Sequence, residues 1–190
     1  MEGYLPGAEC SQCKGRCCRE RGCSLSPQDM HRALAHKMKS ESFQPKEEEL
    51  RDAVLFLLQK ESGDARYAID YFNTVKGPFF YLRMRHKCHT FIGVDGLGEC
   101  IALTEEGCIL DEGQRPKGGR FLKSSPDGHC IQYYTQEMME EDWKPYQETL
   151  SSIWKEYEAR FRKDGTFERC EEAYFAWMRR QRQAITLPQK

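Results

Sequence analysis

A mostly helical α+β fold in a single domain is what this chain predicts, and three features of its sequence lead there. Apolar residues recur three and four apart in several stretches, as on helix faces that pack on a core. Between Gly77 and Tyr134 the texture changes to short aromatic and β-branched runs separated by turn formers. Five of the ten cysteines crowd into Cys10 to Cys23, and four more (Cys88, Cys100, Cys108 and Cys130) fall in that middle segment. The expected architecture is helices packed around a small, cysteine-bearing, β-rich or irregular centre.

The first helix should start at Ser26-Pro27-Gln28-Asp29, where an N-cap serine precedes a proline and an acidic residue in the first turn. Met30, Ala33, Leu34 and Met38 give it an apolar stripe. A second helix is expected from Pro45 to Gly63, with Glu47 to Glu49 at the positive end of its dipole and Leu50, Val54, Leu57 and Leu58 inward. The spacing of Tyr67, Ala68, Tyr71 and Phe72 predicts a short third helix from Asp64 to about Asn73.

Phe79 to Met84, Thr90 to Val94 and Cys100 to Leu103 suit extended segments, with Cys108 to Leu110 and Cys130 to Tyr134 as further short strands. The glycine, proline and serine content from Gly113 to Gly128 predicts an irregular loop. Helices return with Trp143, Tyr146, Leu150, Ile153, Trp154, Tyr157 and Phe161. They break at Asp164-Gly165 and resume at Thr166 with Phe167, Cys170, Tyr174 and Trp177 on one face. Residues 1–135 therefore form a cysteine-cluster region and residues 136–190 an aromatic-rich helical hairpin packed on it, within one compact domain.

A chain of 190 residues, 39% apolar and 31% charged, can bury a core without a disulfide framework. Its net charge of -1 gives no long-range attraction to nucleic acid or to an anionic membrane, so neither is an expected partner. The opening Met1-Glu2-Gly3-Tyr4-Leu5-Pro6 lacks the basic and apolar regions of a signal peptide. The longest strongly apolar run, Ala53 to Leu58, is far shorter than the roughly 20 residues of a membrane span. A cytoplasmic location follows, and in a reducing cytosol clustered cysteines point to metal or redox chemistry.

Cys10 and Cys13 form C-x-x-C, a spacing that lets two sulfurs reach one metal from a tight turn; Cys17 and Cys18 follow after three residues. Lys14, Arg16, Arg19 and Arg21 place positive charge beside them, which favours thiolates. Cys100 and Cys108 lie at the two ends of an expected hairpin that could bring both sulfurs to one side. Cys23 reads equally as a ligand or as a small buried apolar residue. Cys170, on an apolar helix face, reads as core.

Other residues have blander readings. His86, Cys88 and His89 suggest a mixed nitrogen and sulfur site, but the strand alternation turns His89 away from the other two, so these histidines read as surface residues. His129 beside Cys130 is a weaker version of the same idea. His31 and His36 fall on the polar side of the first helix and read as solvated. Arg179, Arg180 and Arg182 suit a solvated helix end. Gly93 to Gly98 is glycine-rich without forming a strand-to-helix phosphate loop, and neither a nucleophile elbow nor a paired-histidine metalloprotease motif occurs. Catalysis therefore stays open.

Cys10-x-x-Cys13-x-x-x-Cys17-Cys18, then Leu25-Ser26-Pro27-x-Asp29, then Gly98-x-Cys100 and Gly107-Cys108-Ile109-Leu110 leading to Arg115-Pro116, resemble the YkgJ-type cysteine-cluster proteins over roughly residues 10 to 130. That family is described as a zinc- or iron-chelating domain, and flagellin lysine N-methylases contain a similar one. The family commonly has a further cysteine after Arg-Pro, where this chain has Gly118-Gly119, and Cys130 is the candidate to replace it. The resemblance implies metal ligation by Cys10, Cys13, Cys17, Cys18, Cys100, Cys108 and Cys130. It tilts the choice of metal towards an iron–sulfur cluster (4Fe-4S), with zinc as the alternative.

Three functions are thus expected in turn. The first is an iron–sulfur protein for electron transfer or as part of a protein-modifying enzyme. The second is a zinc-stabilised module that recognises a partner protein, and the third is a flagellin-like protein lysine N-methyltransferase.

Overall fold

A computed structural model describes residues 18, 22–41, 43–59, 65–88, 100–104, 107–124, 130–170, 172, 175, 176 and 179. The fold class is the expected one: helices around a small antiparallel sheet, α+β, in one domain. The capping signal at Ser26 works as written. Helix α1 (Pro27–Lys37) has Ser26 as N-cap and Asp29 as the reciprocal partner of a capping box. Helix α2 (Leu50–Leu58) is shorter than the sequence suggests, because Glu47–Glu49 form a single 3-10 turn ahead of it. Val54, Leu57 and Leu58 on α2 are buried, as expected.

The expected third helix is overturned. Ala65–Thr74 is strand β2 in the chain's central hairpin, paired antiparallel with β3 (Gly77–Cys88). Its apolar residues happen to match a helical spacing, but the run Tyr67, Ile69, Tyr71 and Phe72 is aromatic and β-branched, which favours a pleated surface. Its partner supplies rings in register: Phe72 stacks on Phe79 at 5.4 Å and Tyr71 meets Phe80 at 6.1 Å. Thr74 Oγ1 donates to the Gly77 carbonyl at 2.8 Å and closes the turn over Val75 and Lys76.

The two-residue strand β1 (Cys23–Ser24) joins the other edge of β3, giving the order β1-β3-β2 with Cys23 opposite Met84 and Ser24 opposite Arg83. Beyond β1 the same edge of β3 is met by a side chain. Gln147 accepts from the Phe80 amide at 2.9 Å and donates to the Phe80 carbonyl at 2.7 Å.

Two further ribbons are short: β4 (Leu103–Thr104) with β5 (Gly107–Cys108), and β6 (Leu122–Ser124) with β7 (Cys130–Gln132). The segment expected to be an irregular loop therefore holds order, including a 3-10 turn at Glu112–Gln114 and the one-turn helix α3 (Lys117–Arg120). The run Thr90 to Val94 lies outside the described residues.

The carboxyl-terminal third is helical, as expected, but Pro145 splits it. α4 (Gln136–Trp143) passes through a 3-10 turn (Lys144–Tyr146) into α5 (Gln147–Lys163). Gly165, at φ +71°, then breaks the chain before residues 166–170 turn helical again, with Phe167 and Cys170 buried. Trp143, Leu150 and Ile153 from these helices meet Val54, Leu58, Ile69 and Leu82 in one apolar cluster. Each fully buried aliphatic side chain there contributes about 2 kcal/mol relative to exposure.

His31 is a correction to the expected solvated histidine. It is partly buried, with Nε2 3.1 Å from the Tyr146 hydroxyl, and desolvation holds its pKa below the ordinary histidine range.

α3 can approach β1 only because its second and third residues are glycines. A Cβ on Gly118 would stand 2.6 Å from the Ser24 carbonyl oxygen and 3.0 Å from the Ser24 amide nitrogen, both rigid backbone atoms. Gly118→Ala should therefore lower stability in urea unfolding by about 2 kcal/mol. Gly113→Ala, which meets open space, should stay within about 0.5 kcal/mol of the parent.

Candidate metal centre

The two segments that carry the described candidate ligands touch through their backbones. The Cys100 amide donates to the Cys18 carbonyl at 2.7 Å, which joins the end of the amino-terminal cysteine run to the middle segment. Downstream, the Leu103 amide donates to the Cys100 carbonyl at 3.0 Å and the Ile109 amide to the Ala102 carbonyl at 2.9 Å. The β4–β5 ribbon then sets Cys108 opposite Leu103. The expected hairpin is shorter than Cys100 to Cys108, because Ile101 and Ala102, expected to be extended, form a turn that leaves Cys100 outside the ribbon.

Cys100 is buried and Cys18 and Cys108 are partly buried; all three pack on the main apolar cluster, as does Cys23. Cys23 is buried on β1. Desolvation first, then the neighbouring Cys100 and Asp29, push its thiol far above the usual range; Arg83 opposes this and Cys108 adds to it. Cys23 is therefore a protonated thiol at neutral pH, and its sulfur, 3.9 Å from the Ser24 carbonyl, makes at most a weak contact there. A Cβ on Gly119 would lie 3.2 Å from that sulfur. Beside the glycine pair, where the resemblance implies a cysteine, the space is filled by sulfur from the amino-terminal side of the chain.

Cys10, Cys13 and Cys17 lie outside the described residues. Cys130 is placed on β7, and its side chain lies outside them too, as do the side chains of His86 and Cys88 and all of His89 and His129. Among the described residues no three His, Cys, Asp or Glu side chains are arranged to hold a metal ion as they stand. Cys18, Cys100 and Cys108 are soft donors of the kind that zinc or an iron–sulfur cluster takes, so their chemistry fits such a group.

One residue joins these segments, Asp29, which the sequence marks as acidic in the first turn of α1 and as the end of Leu25-Ser26-Pro27-x-Asp29. Asp29, 5% exposed, accepts through Oδ2 from the Ser26 amide at 2.9 Å, the Ser26 hydroxyl at 2.8 Å and the Lys117 amide at 2.7 Å. Its Oδ1 has Arg32 at 3.7 Å and Arg120 at 3.9 Å. The separated sequence pieces Leu25-Ser26-Pro27-x-Asp29 and Arg115-Pro116 are thereby brought together, and Arg115 Nε ties back to the Leu110 carbonyl at 3.0 Å.

Lys117 extends the link. Its Nζ pairs with Asp142 of α4 at 2.7 Å, and the Tyr134 hydroxyl donates to the same Asp142 oxygen at 2.7 Å. Trp143, fully buried, donates from Nε1 to the Leu25 carbonyl at 2.9 Å. The carboxyl-terminal helices thus fix the segment running from Cys23 to Asp29.

Comparison with protein-family models, with curated proteins and with solved structures finds no match. Among the described residues no helix is long and apolar enough to cross a membrane.

Replacing Asp29 by alanine leaves the Ser26 and Lys117 amides without their carboxylate and should cost about 3 kcal/mol in urea unfolding. Asp29→Asn keeps an acceptor and should cost less. Equal losses for the two variants would mean that charge alone matters.

Proposed function

We propose that this chain is a cysteine-cluster metal protein of the YkgJ type that holds an iron–sulfur cluster in a reducing, cytoplasmic setting, for electron transfer or as part of a protein-modifying enzyme. The observation that carries the reading is the 2.7 Å bond from the Cys100 amide to the Cys18 carbonyl. It joins two cysteine-bearing segments more than eighty positions apart, one of them continuous with Cys10-x-x-Cys13-x-x-x-Cys17. Cys18, Cys100 and Cys108 would hold the group together with Cys10, Cys13 and Cys17, and Cys130 is the further candidate. Such a cluster, when bound, would supply one-electron chemistry.

The chain's own contribution is positioning. Burial of Cys100 and partial burial of Cys18 and Cys108 keep bulk water from that side of the sulfurs, which tunes the potential of a cluster. Ligation also turns metal affinity into folding free energy by tying the amino-terminal segment to the β-rich centre.

What favours iron over zinc is the likeness to the domain found in flagellin lysine N-methylases, since the thiol supply exceeds the four that either one tetrahedral zinc or one cubane cluster needs. Anaerobic purification should give a brown protein with iron and acid-labile sulfide in equal amounts. Cys100→Ser and Cys108→Ser should each lower the iron content, and Cys170→Ser, remote in sequence and buried beside the last helical turns, should leave it unchanged. A colourless protein with stoichiometric zinc would replace this reading with a zinc-stabilised module. A protein with neither metal would end it.

A further inference from the structure

A cavity of about 590 Å³ opens between α1, the β2–β3 hairpin and the Cys100–Leu110 segment. Its volume is that of a site for one small molecule. Leu25, Tyr67, Met84, Ile101 and Ala102 give it an apolar floor, and Ile109 at its wall is 65% exposed. The polar groups on it are unevenly charged. Among the described residues that line it, Arg32, His36 and Arg66 are basic and Asp29 is acidic.

Through Oδ2 that carboxylate is already engaged by Ser26 and Lys117, and its Oδ1 faces Arg32. Arg32 stands 3.7 Å from it, too far for a hydrogen bond, and its side chain is 47% exposed. Its guanidinium makes an ion pair there without a hydrogen bond among the described residues, so its fork can still meet a carboxylate in the two-point geometry that arginine favours.

We propose that this cavity binds a small amphipathic carboxylate, with its aliphatic or aromatic body on the apolar floor and its anionic head at Arg32. The site is distinct from the sulfur ligands but shares their chain segment, since Ile101 and Ala102 follow Cys100 and Ile109 follows Cys108. Binding needs no metal, so its failure and the failure of the iron–sulfur reading are separate results.

Calorimetric titration of the full chain with decanoate, and with decanol as its uncharged counterpart, tests this. Decanoate should bind saturably, one per chain, and at least about tenfold more tightly than decanol. Arg32→Gln, at a half-exposed position, should weaken decanoate about tenfold and leave decanol unchanged. Ala33→Trp, which fills the cavity from α1, should abolish binding of both in protein that keeps its thermal transition. Should Ala33→Trp fail to fold, the Arg32→Gln comparison decides alone. Absence of saturable binding, equal affinity for the two probes, indifference to Arg32→Gln, or full affinity in folded Ala33→Trp would each overturn the proposal.

Discussion

The buried carboxylate of Asp29 is the constraint on which the arrangement of the cysteine-bearing segments depends. A carboxylate this deep needs donors, and those of its Oδ2 come from two places far apart in the chain: the cap of the first helix and the start of the one-turn helix after Pro116. Meeting that requirement holds β1, with Cys23, against the segment that follows Cys108. Lys117 carries the constraint outward to Asp142 and Tyr134, and Trp143 returns it to Leu25. A ring of polar contacts thus encloses one side of the apolar cluster.

Around that ring the cysteines divide by environment. Cys23 and Cys170 are buried, and Cys23 is held protonated by its surroundings, the state of a small apolar residue. Cys18 and Cys108 keep part of their surface accessible, and Cys100, buried, is bonded through its backbone to Cys18. Of the residues proposed as ligands, Cys18, Cys100 and Cys108 sit where Cys18 meets the folded body. A metal there would act on both the stability and the reach of the amino-terminal run.

Much of the fold could be read in the sequence wherever a local signal was strong. Ser26-Pro27-x-Asp29 fixed the start of α1 because capping is decided within four residues, and Asp164-Gly165 marked the end of α5 because glycine tolerates the positive φ needed there. The misreading of residues 64–73 has an equally local origin. Tyr67, Ala68, Tyr71 and Phe72 satisfy a helical spacing, and only the pairing partner at Phe79 to Met84 selects the strand. Of the candidate centre, the backbone contact of Cys18 with Cys100 and a short ribbon ending at Cys108 were foreseeable from motif and turn. The burial of Asp29, the bond of His31 to Tyr146 and the approach of Cys23 to Gly119 depend on tertiary packing that no local pattern encodes.

Gln147 has a consequence beyond the contact itself. β1 is only two residues long, so the edge of β3 around Phe80 would present a bare amide and carbonyl to any passing extended chain. By meeting both groups with one primary amide, the glutamine acts as a molecular stopper. It lets the protein keep a long aromatic hairpin close to its surface without offering that stretch of strand as a template for self-association.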